Sequence, residues 1–293
     1  MPTNWAYLFW GANILDSGFD KIRRNNCTLF VNKNFRNDNF EQALSAGEKT
    51  LQERYQLTAV FSSDTSRVHK FTVRFGGVER WVYFKQYLCR SSWDFIKHLL
   101  RPSRARRAFK ATLILEKNGF EAPAVVAMGE WKSDFFNRRN FLVTLEAENT
   151  KPIYQFIPEG QENLTKEQLR AKRELIRAFG RTVGRMHAAG IFHGDLKLVN
   201  VLARQEKNGW RFFFIDNERT KKFYILPPWL RLKNLVQVNM HRTDALTASD
   251  RMRFFKAYLG ENLDIQNKYK SLARKVAAKT RSRLRSRGLT DQL

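Results

Sequence analysis

Residues 193–200 read His-Gly-Asp-Leu-Lys-Leu-Val-Asn, and no other stretch of the chain restricts its fold as strongly. The segment matches the phosphotransfer loop pattern H-R-D-L-x-x-x-N at every fixed position except the Arg, where Gly194 stands. Each matching side chain has a chemical task. Asp195 is placed to accept the proton of an attacking hydroxyl, Asn200 to hold a metal ion, and Lys197 to lie near a transferring phosphate. Residues 211–216, Arg-Phe-Phe-Phe-Ile-Asp, follow as a buried strand ending in a carboxylate. Asp216 falls where such enzymes put their main metal-binding Asp. Only a fold that makes these two segments converge satisfies both.

The surrounding pattern supplies that fold. Thr28 to Val31, Thr58 to Ser62, Val68 to Phe75 and Arg80 to Leu88 read as strands, with Gly76-Gly77 as a hairpin turn. Ser103 to Lys117 reads as a helix that stops near Asn118-Gly119, and Ala124 to Met128 and Phe141 to Leu145 as two further strands. Thr165 and Gln168 form a capping box. Behind it Leu175, Ile176, Phe179, Val183 and Met186 line one helical face, up to Gly190. More helix follows Asp216, with Ser249 to Leu259 the clearest case. This order predicts an α+β, two-lobed, protein-kinase-like fold, with an antiparallel-sheet N-lobe over 1–148 and a mainly helical C-lobe over 149–293. The boundary is expected near Glu146 to Thr150.

Charge narrows the partners. There are 53 Lys+Arg against 28 Asp+Glu, a formal net charge of +25. That excess suits a polyanionic partner: nucleic acid, an anionic membrane surface or a phosphorylated substrate. One block runs from Lys97 to Lys110 and includes Arg101, Arg104, Arg106 and Arg107. A second runs from Lys268 to Arg287 and includes Lys270, Arg274, Lys275, Lys279, Arg281, Arg283 and Arg285; neither contains an acid. The two cysteines, Cys27 and Cys89, form no metal pattern and fit a reducing compartment. Trp5 to Leu15 is apolar but short, without the basic start and small-residue cleavage site of a signal peptide. No apolar run reaches the ~20 residues that span a bilayer. The expectation is a cytoplasmic protein, soluble or peripheral on a membrane face.

The nucleotide side of the pattern is less complete. Lys85, in Trp-Val-Tyr-Phe-Lys-Gln, is the candidate for the strand Lys that binds the α- and β-phosphates of ATP; a solvated strand-end Lys is the plainer reading. No glycine-rich loop exists, and Ser62-Ser63-Asp64-Thr65-Ser66 occupies its place, so Ser63 and Thr65 are candidate phosphate contacts. Glu116 is the acidic residue available to pair with Lys85, or an ordinary surface residue. Asp216 is followed by Asn-Glu and not Phe-Gly, and no A-P-E follows. With Gly194 in place of the Arg that pairs with a phosphorylated loop, these losses favour a small or glycan hydroxyl as acceptor over a phospho-regulated protein kinase. His193 reads as a brace for the loop.

Four stretches carry a family likeness: Trp-Val-Tyr-Phe-Lys-Gln-Tyr at 81–87, Ser-Arg-Ala-Arg-Arg-Ala-Phe at 103–109 with Lys-Asn-Gly-Phe-Glu-Ala-Pro at 117–123, His-Gly-Asp-Leu-Lys-Leu-Val-Asn at 193–200, and Phe-Ile-Asp-Asn-Glu-Arg at 214–219. A looser likeness runs through Asp250 to Tyr258. On these the chain resembles the bacterial lipopolysaccharide kinase family of Kdo kinases and inner-core heptose kinases. The resemblance implies ATP- and Mg2+-dependent phosphorylation of a sugar hydroxyl of the lipopolysaccharide core glycolipid, at the anionic cytoplasmic face of the inner membrane, with no nucleic acid and no transmembrane helix. It supports Lys85, Asp195, Asn200 and Asp216 as functional. It also marks a departure, because Ala108 stands where such proteins usually carry an acid after Arg106-Arg107. Two alternatives remain: a small-molecule phosphotransferase of the aminoglycoside or choline kinase type, and a catalytically weak kinase fold that binds an anionic glycolipid.

Overall fold

The computed structural model describes residues 18–24, 26–62, 64–88, 101–132, 138–158, 164–241 and 246–288. Backbone contacts divide the chain into two units, one of residues 1–113 with 123–146 and one of residues 114–122 with 147–293. The segment Trp5 to Leu15, Ser63, Cys89 and Lys97 lie outside the described residues.

In the first unit the strands are β1 (Phe19–Arg24), β2 (Cys27–Asn32), β3 (Thr58–Val60), β4 (Ser66–Phe75), β5 (Val78–Tyr87), β6 (Val125–Lys132) and β7 (Arg138–Leu145). They form one seven-stranded antiparallel sheet in the order β1-β2-β6-β7-β5-β4-β3. Gly76 and Gly77, at φ +54° and +84°, make the β4–β5 turn, a left-handed pair that glycine adopts without a Cβ clash. Both faces of the sheet are covered, and the strands alternate accordingly. Leu29, Val31, Val82, Phe84, Phe141 and Val143 point to one face, while Phe30, Tyr87, Met128 and Leu142 point to the other.

The second face is covered by α3 (Arg104–Lys117) through Ala105, Ala108 and Phe109. The first is covered by two helices absent from the sequence reading, which made this half strands with a single helix. These are α1 (Asp38–Ala46) and α2 (Glu48–Arg54), which bring in Phe40, Ala43, Leu44 and Leu51. The Asn37 side chain caps α1 by accepting from the Phe40 N–H, and Gly47 at φ +112° turns the chain into α2. Cys27 is buried, and burial pushes its thiol up to about 12, which leaves it an inert apolar side chain.

The second unit holds β8 (Lys151–Pro152), α4 (Lys166–Ala188), β9 (Ile191–Phe192), β10 (Val201–Glu206), β11 (Gly209–Phe214), β12 (Lys221–Lys222), α5 (Pro228–Asn239), α6 (Ala248–Gly260) and α7 (Tyr269–Arg285). The Thr165–Gln168 capping box opens α4 as expected. Leu175, Phe179, Val183 and Met186 of α4 join Phe212 and Phe214 of β11 and Phe255, Tyr258 and Leu259 of α6 in one core. Asp250, part of the looser family likeness, has a structural task. It closes the capping box of α6 with Thr247, and its other bonds go to Lys172 at 2.8 Å, with both side chains almost wholly buried, and to Arg253. None of the described helices is long and apolar enough to cross a membrane.

Candidate functional site

The loop after β9 is built around His193, whose side chain is completely buried. Its Nδ1 accepts the Asp195 N–H at 3.2 Å, so the proton sits on Nε2 and is donated to Asn217 Oδ1 at 3.0 Å. Asn217 in turn donates to the Phe214 carbonyl at 2.9 Å. The imidazole therefore ties the 193–200 loop to the end of β11. Burial pushes its pKa below the ordinary value, against the opposing pull of the Asn217 hydrogen bond and the Asp216 and Asp195 carboxylates. A neutral, doubly bonded ring inside the core braces the loop and has no free nitrogen for base chemistry.

Asp195 faces outward from that brace, about one quarter exposed. Its Oδ2 accepts from Lys197 Nζ at 2.9 Å and from Asn200 Nδ2 at 3.0 Å, and its Oδ1 accepts from Gln237 Nε2 at 3.3 Å. The same Asn200 nitrogen also bonds the Asp195 carbonyl at 2.9 Å. With its nitrogen committed, the remaining polar atom of the Asn200 amide is its oxygen. The Asn200 backbone carbonyl accepts the Ile215 N–H at 3.0 Å, which joins the end of the loop to the residue just before Asp216. Asp195, Lys197, Asn200 and Asp216 are thus brought to one place in the second unit.

The strand expected to end on Asp216 stops two residues earlier, at Phe214. Asp216 itself is left-handed, at φ 58° and ψ 46°. A short polar side chain tolerates that conformation, which turns the chain after the strand. Asn200 and Asp216 offer hard oxygen donors of the kind Mg2+ takes alongside phosphate oxygens and water. Among the described residues no group of three or more His, Cys, Asp or Glu is arranged to hold a metal ion, so the donor set suits a cation that brings phosphate and water ligands with it.

Gly194 has a steric reason. A Cβ there would lie 2.0 Å from Arg219 Cβ and 2.7 Å from the Arg219 backbone carbon. The segment after Asp216 packs directly on the loop and leaves no room for a side chain.

The sequence reading missed a further set of residues. On α5, Asn234 and Gln237 are three apart and both buried, which puts their amides on one helical face. Asn234 Oδ1 accepts the His193 N–H at 3.2 Å and its Nδ2 donates to the His193 carbonyl. Gln237 accepts the Leu196 N–H at 3.3 Å and donates to the Gly194 carbonyl at 3.3 Å. The network continues from Asn234 Oδ1 to His187 Nε2 at 3.1 Å, then from His187 Nδ1 to the Tyr258 hydroxyl at 2.9 Å, and on to Arg231 at 3.2 Å. Burial lowers His187 to about 3, so it is neutral, accepting from Tyr258 and donating to Asn234. The signal in the sequence was limited to polar residues at helical spacing, Arg231, Asn234 and Gln237, among the apolar residues of α5.

The nucleotide candidates of the first unit are placed as follows. Lys85 is half-buried on β5, paired with Val68 and Leu142, on the face opposite Val82 and Phe84, with its Nζ 5.3 Å from the Tyr87 ring centre. Thr65 precedes β4; Arg104 donates to its carbonyl at 2.9 Å and approaches its hydroxyl at 3.5 Å. Ser62 Oγ closes the same loop on the Ser66 carbonyl at 2.7 Å. The Arg104 guanidinium lies 4.9 Å from the Tyr87 ring centre, so Lys85, Tyr87, Arg104 and Thr65 form one basic cluster. Glu116 is exposed near the C-terminal end of α3, among residues grouped with the second unit.

Comparison with known proteins supplies the family. Over 159 residues the chain is 31% identical to the lipopolysaccharide core heptose(I) kinase WaaP of Pseudomonas aeruginosa, a match covering 53% of this chain and 59% of that protein. It is 26% identical over 232 residues to the WaaP of Escherichia coli, covering 76% of this chain and 86% of that one. Among solved structures, a WaaP in complex with acyl carrier protein superposes with a TM-score of 0.58 at 24% identity, over 84% of this chain and 96% of that chain. That likeness speaks to the fold, which is the two-lobed α+β kinase-like one. The family model of the lipopolysaccharide kinases (Kdo/WaaP) matches residues 50–258, a span that takes in the Lys85 cluster, the 193–200 loop, Asp216 and the amide pair of α5. The chain belongs to the lipopolysaccharide kinase (Kdo/WaaP) family, and so to the phosphotransferases that act on a sugar hydroxyl.

Proposed function

We propose that this chain transfers the γ-phosphoryl group of ATP to a sugar hydroxyl of the lipopolysaccharide inner core at the cytoplasmic face of the inner membrane. Heptose is the first acceptor to test, since both curated relatives carry it in their names; Kdo is the second. One observation carries the reading: the Asp195 carboxylate, held by Lys197, Asn200 and Gln237, sits in a loop bonded through Asn200 to the turn that presents Asp216.

In the proposed reaction the acceptor oxygen bonds to the γ-phosphorus as its bond to the β-phosphate bridging oxygen breaks. ADP leaves and the hydroxyl proton passes to Asp195. Lys197, 2.9 Å from Asp195 Oδ2, offsets charge on the moving phosphoryl group. Asn200 and Asp216 are the proposed holders of Mg2+, which when bound neutralises phosphate charge. Lys85 and Thr65 are proposed to bind the nucleotide phosphates, with Ser63 a further candidate from the sequence alone, and Glu116 remains the candidate partner for Lys85. Positioning and charge neutralisation supply the catalysis, with no covalent intermediate.

The excess of 53 basic over 28 acidic residues supports a phosphate-bearing acceptor and an anionic membrane surface, and opposes the cationic acceptor of an aminoglycoside-type enzyme. An apolar cavity of about 460 Å3 in the second unit, lined by Ile157, Ile176, Phe179, Leu246 and Phe255, supports an acyl group as a further partner. The solved WaaP with acyl carrier protein makes such a carrier the one to try.

The test is incubation of purified protein with ATP, Mg2+ and truncated core glycolipids, read by mass. Gain of one phosphate on a heptose or Kdo is the expected result. Transfer to aminoglycosides or choline with none to core glycolipid would overturn the substrate.

A further inference from the structure

From Arg219 to His241 the chain contains no Asp or Glu, while Arg219, Lys221, Lys222, Arg231 and Lys233 fall in that stretch. Within it, three large apolar side chains stand in solvent. Tyr224 is fully exposed, Ile225 is 75% exposed and Trp229 66%. Their neighbours are turned the other way: Leu226 and Leu230 are buried with Phe192 in a small cluster, and Phe223 packs against it. The segment is rigidly based. Lys221 and Lys222 of β12 pair with Phe192 and Ile191 of β9, the Phe223 N–H bonds the Gly190 carbonyl at 2.8 Å, and Pro228 starts α5 with Trp229 in its first turn. A single stretch of chain thus anchors one set of apolar side chains inward and holds another outward.

Aromatic rings with a polar edge, an aliphatic side chain and flanking lysines are the composition that settles at a bilayer's headgroup level. A platform for sugar rings would need free amide or carboxylate side chains around it to take hydroxyls; here the α5 amides, Asn234 and Gln237, are buried and committed to the 193–200 loop, and the Asn118 amide accepts from Lys222. Ile225 has no partner in such a platform either. We propose that Tyr224, Ile225 and Trp229 form a wedge that enters the interface of an anionic phospholipid bilayer, with Lys221 and Lys222 on lipid phosphates. Because β12 pairs with the strand that runs directly into His193, the inserted wedge would hold the catalytic loop at the membrane surface, where a glycolipid acceptor lies. This deepens the membrane partner proposed above, but vesicle binding does not depend on the kinase reading.

The experiment is flotation of the full chain with vesicles of phosphatidylcholine alone or mixed with phosphatidylglycerol, over a range of salt. Wild type is expected to float with the mixed vesicles and weakly with the neutral ones. Combined Tyr224→Ser, Ile225→Ser and Trp229→Ser replacement should weaken binding about tenfold or more at every salt concentration. Combined Lys221→Gln and Lys222→Gln replacement should weaken it and flatten its salt dependence. Turnover of a deacylated, water-soluble core oligosaccharide should be unchanged by the triple replacement, and Trp229→Ser alone serves if the triple variant melts early. Flotation equal to wild type in these variants would overturn the wedge. So would an equal loss of soluble-acceptor turnover, which would make the residues an acceptor platform. Absence of any turnover by wild type would sink the kinase reading and leave the flotation result to decide the wedge.

Discussion

Gly194 shows what a single position says when read as a letter and when read as a volume. As a letter it is a departure from the Arg of regulated kinases. As a volume it is the only residue that fits, because a Cβ would lie 2.0 Å from that of Arg219. Gly194→Ala should therefore cost about 1–3 kcal/mol as overpacking, measured by denaturant unfolding, and lower turnover with it; a variant as stable as wild type would mean that Arg219 gives way freely. Asp216 carries a related lesson. Reading it as the end of a strand located the carboxylate in sequence but missed its left-handed backbone, because alternation of apolar residues marks where a strand runs and is silent on the turn that follows. His193 was legible as a brace, and its two ring bonds bear that out.

At the scale of elements, helices with explicit end signals were readable and those without were not. Thr165–Gln168 announced α4, whereas α1 opens on Asn37 with Phe40 at the position where a capping box has Glu or Gln. Two short helices split by Gly47 give little periodicity, and tertiary packing against the sheet decides them. The support of the 193–200 loop by α5 was hidden for another reason: two amides at helical spacing mark a polar spot on a helix but not the distant backbone groups they bond. Asn234→Ala would orphan both backbone groups of His193 and one nitrogen of His187, and is expected to cost about 3 kcal/mol in unfolding free energy. A change below ~0.5 kcal/mol would show that water replaces the amide.

The same network sets a pH dependence. The folded pKa of His187 lies at about 3, below the 6.5 of the free side chain. The unfolded chain therefore binds the extra proton, and the stability His187 confers is complete above 6.5 and is lost as pH falls toward 3. The expected slope is about 0.7 kcal/mol per pH unit at pH 6.5, where half of the unfolded chains carry the proton, and approaches about 1.4 near pH 5. Burial lowers His193 as well, so it adds in the same direction. Thermal unfolding across that range checks this, and His187→Gln should flatten the curve; a wild-type melting temperature independent of pH would contradict it.

For the molecule as a whole, the order of elements and the two converging motifs were legible because each segment's role is written in neighbouring residues. The nucleotide side was less so. Lys85 sits on its strand as read, but a cradle made of backbone amides and hydroxyls has no required residue types, and Ser62 to Ser66 carries no signature beyond its place. The excess positive charge pointed to a polyanion, and only the exposed surface showed which apolar side chains accompany it. The central claim is that a carboxylate at 195 and another at 216, joined through Asn200, have separate tasks: one takes the acceptor's proton and the other serves the nucleotide's metal. The most direct measurement is single-turnover transfer from ATP to core glycolipid by Asp195→Asn protein, with nucleotide affinity determined on the same sample. The account predicts a loss of about a thousandfold in rate with ATP binding retained. A rate within a few-fold of wild type would contradict it.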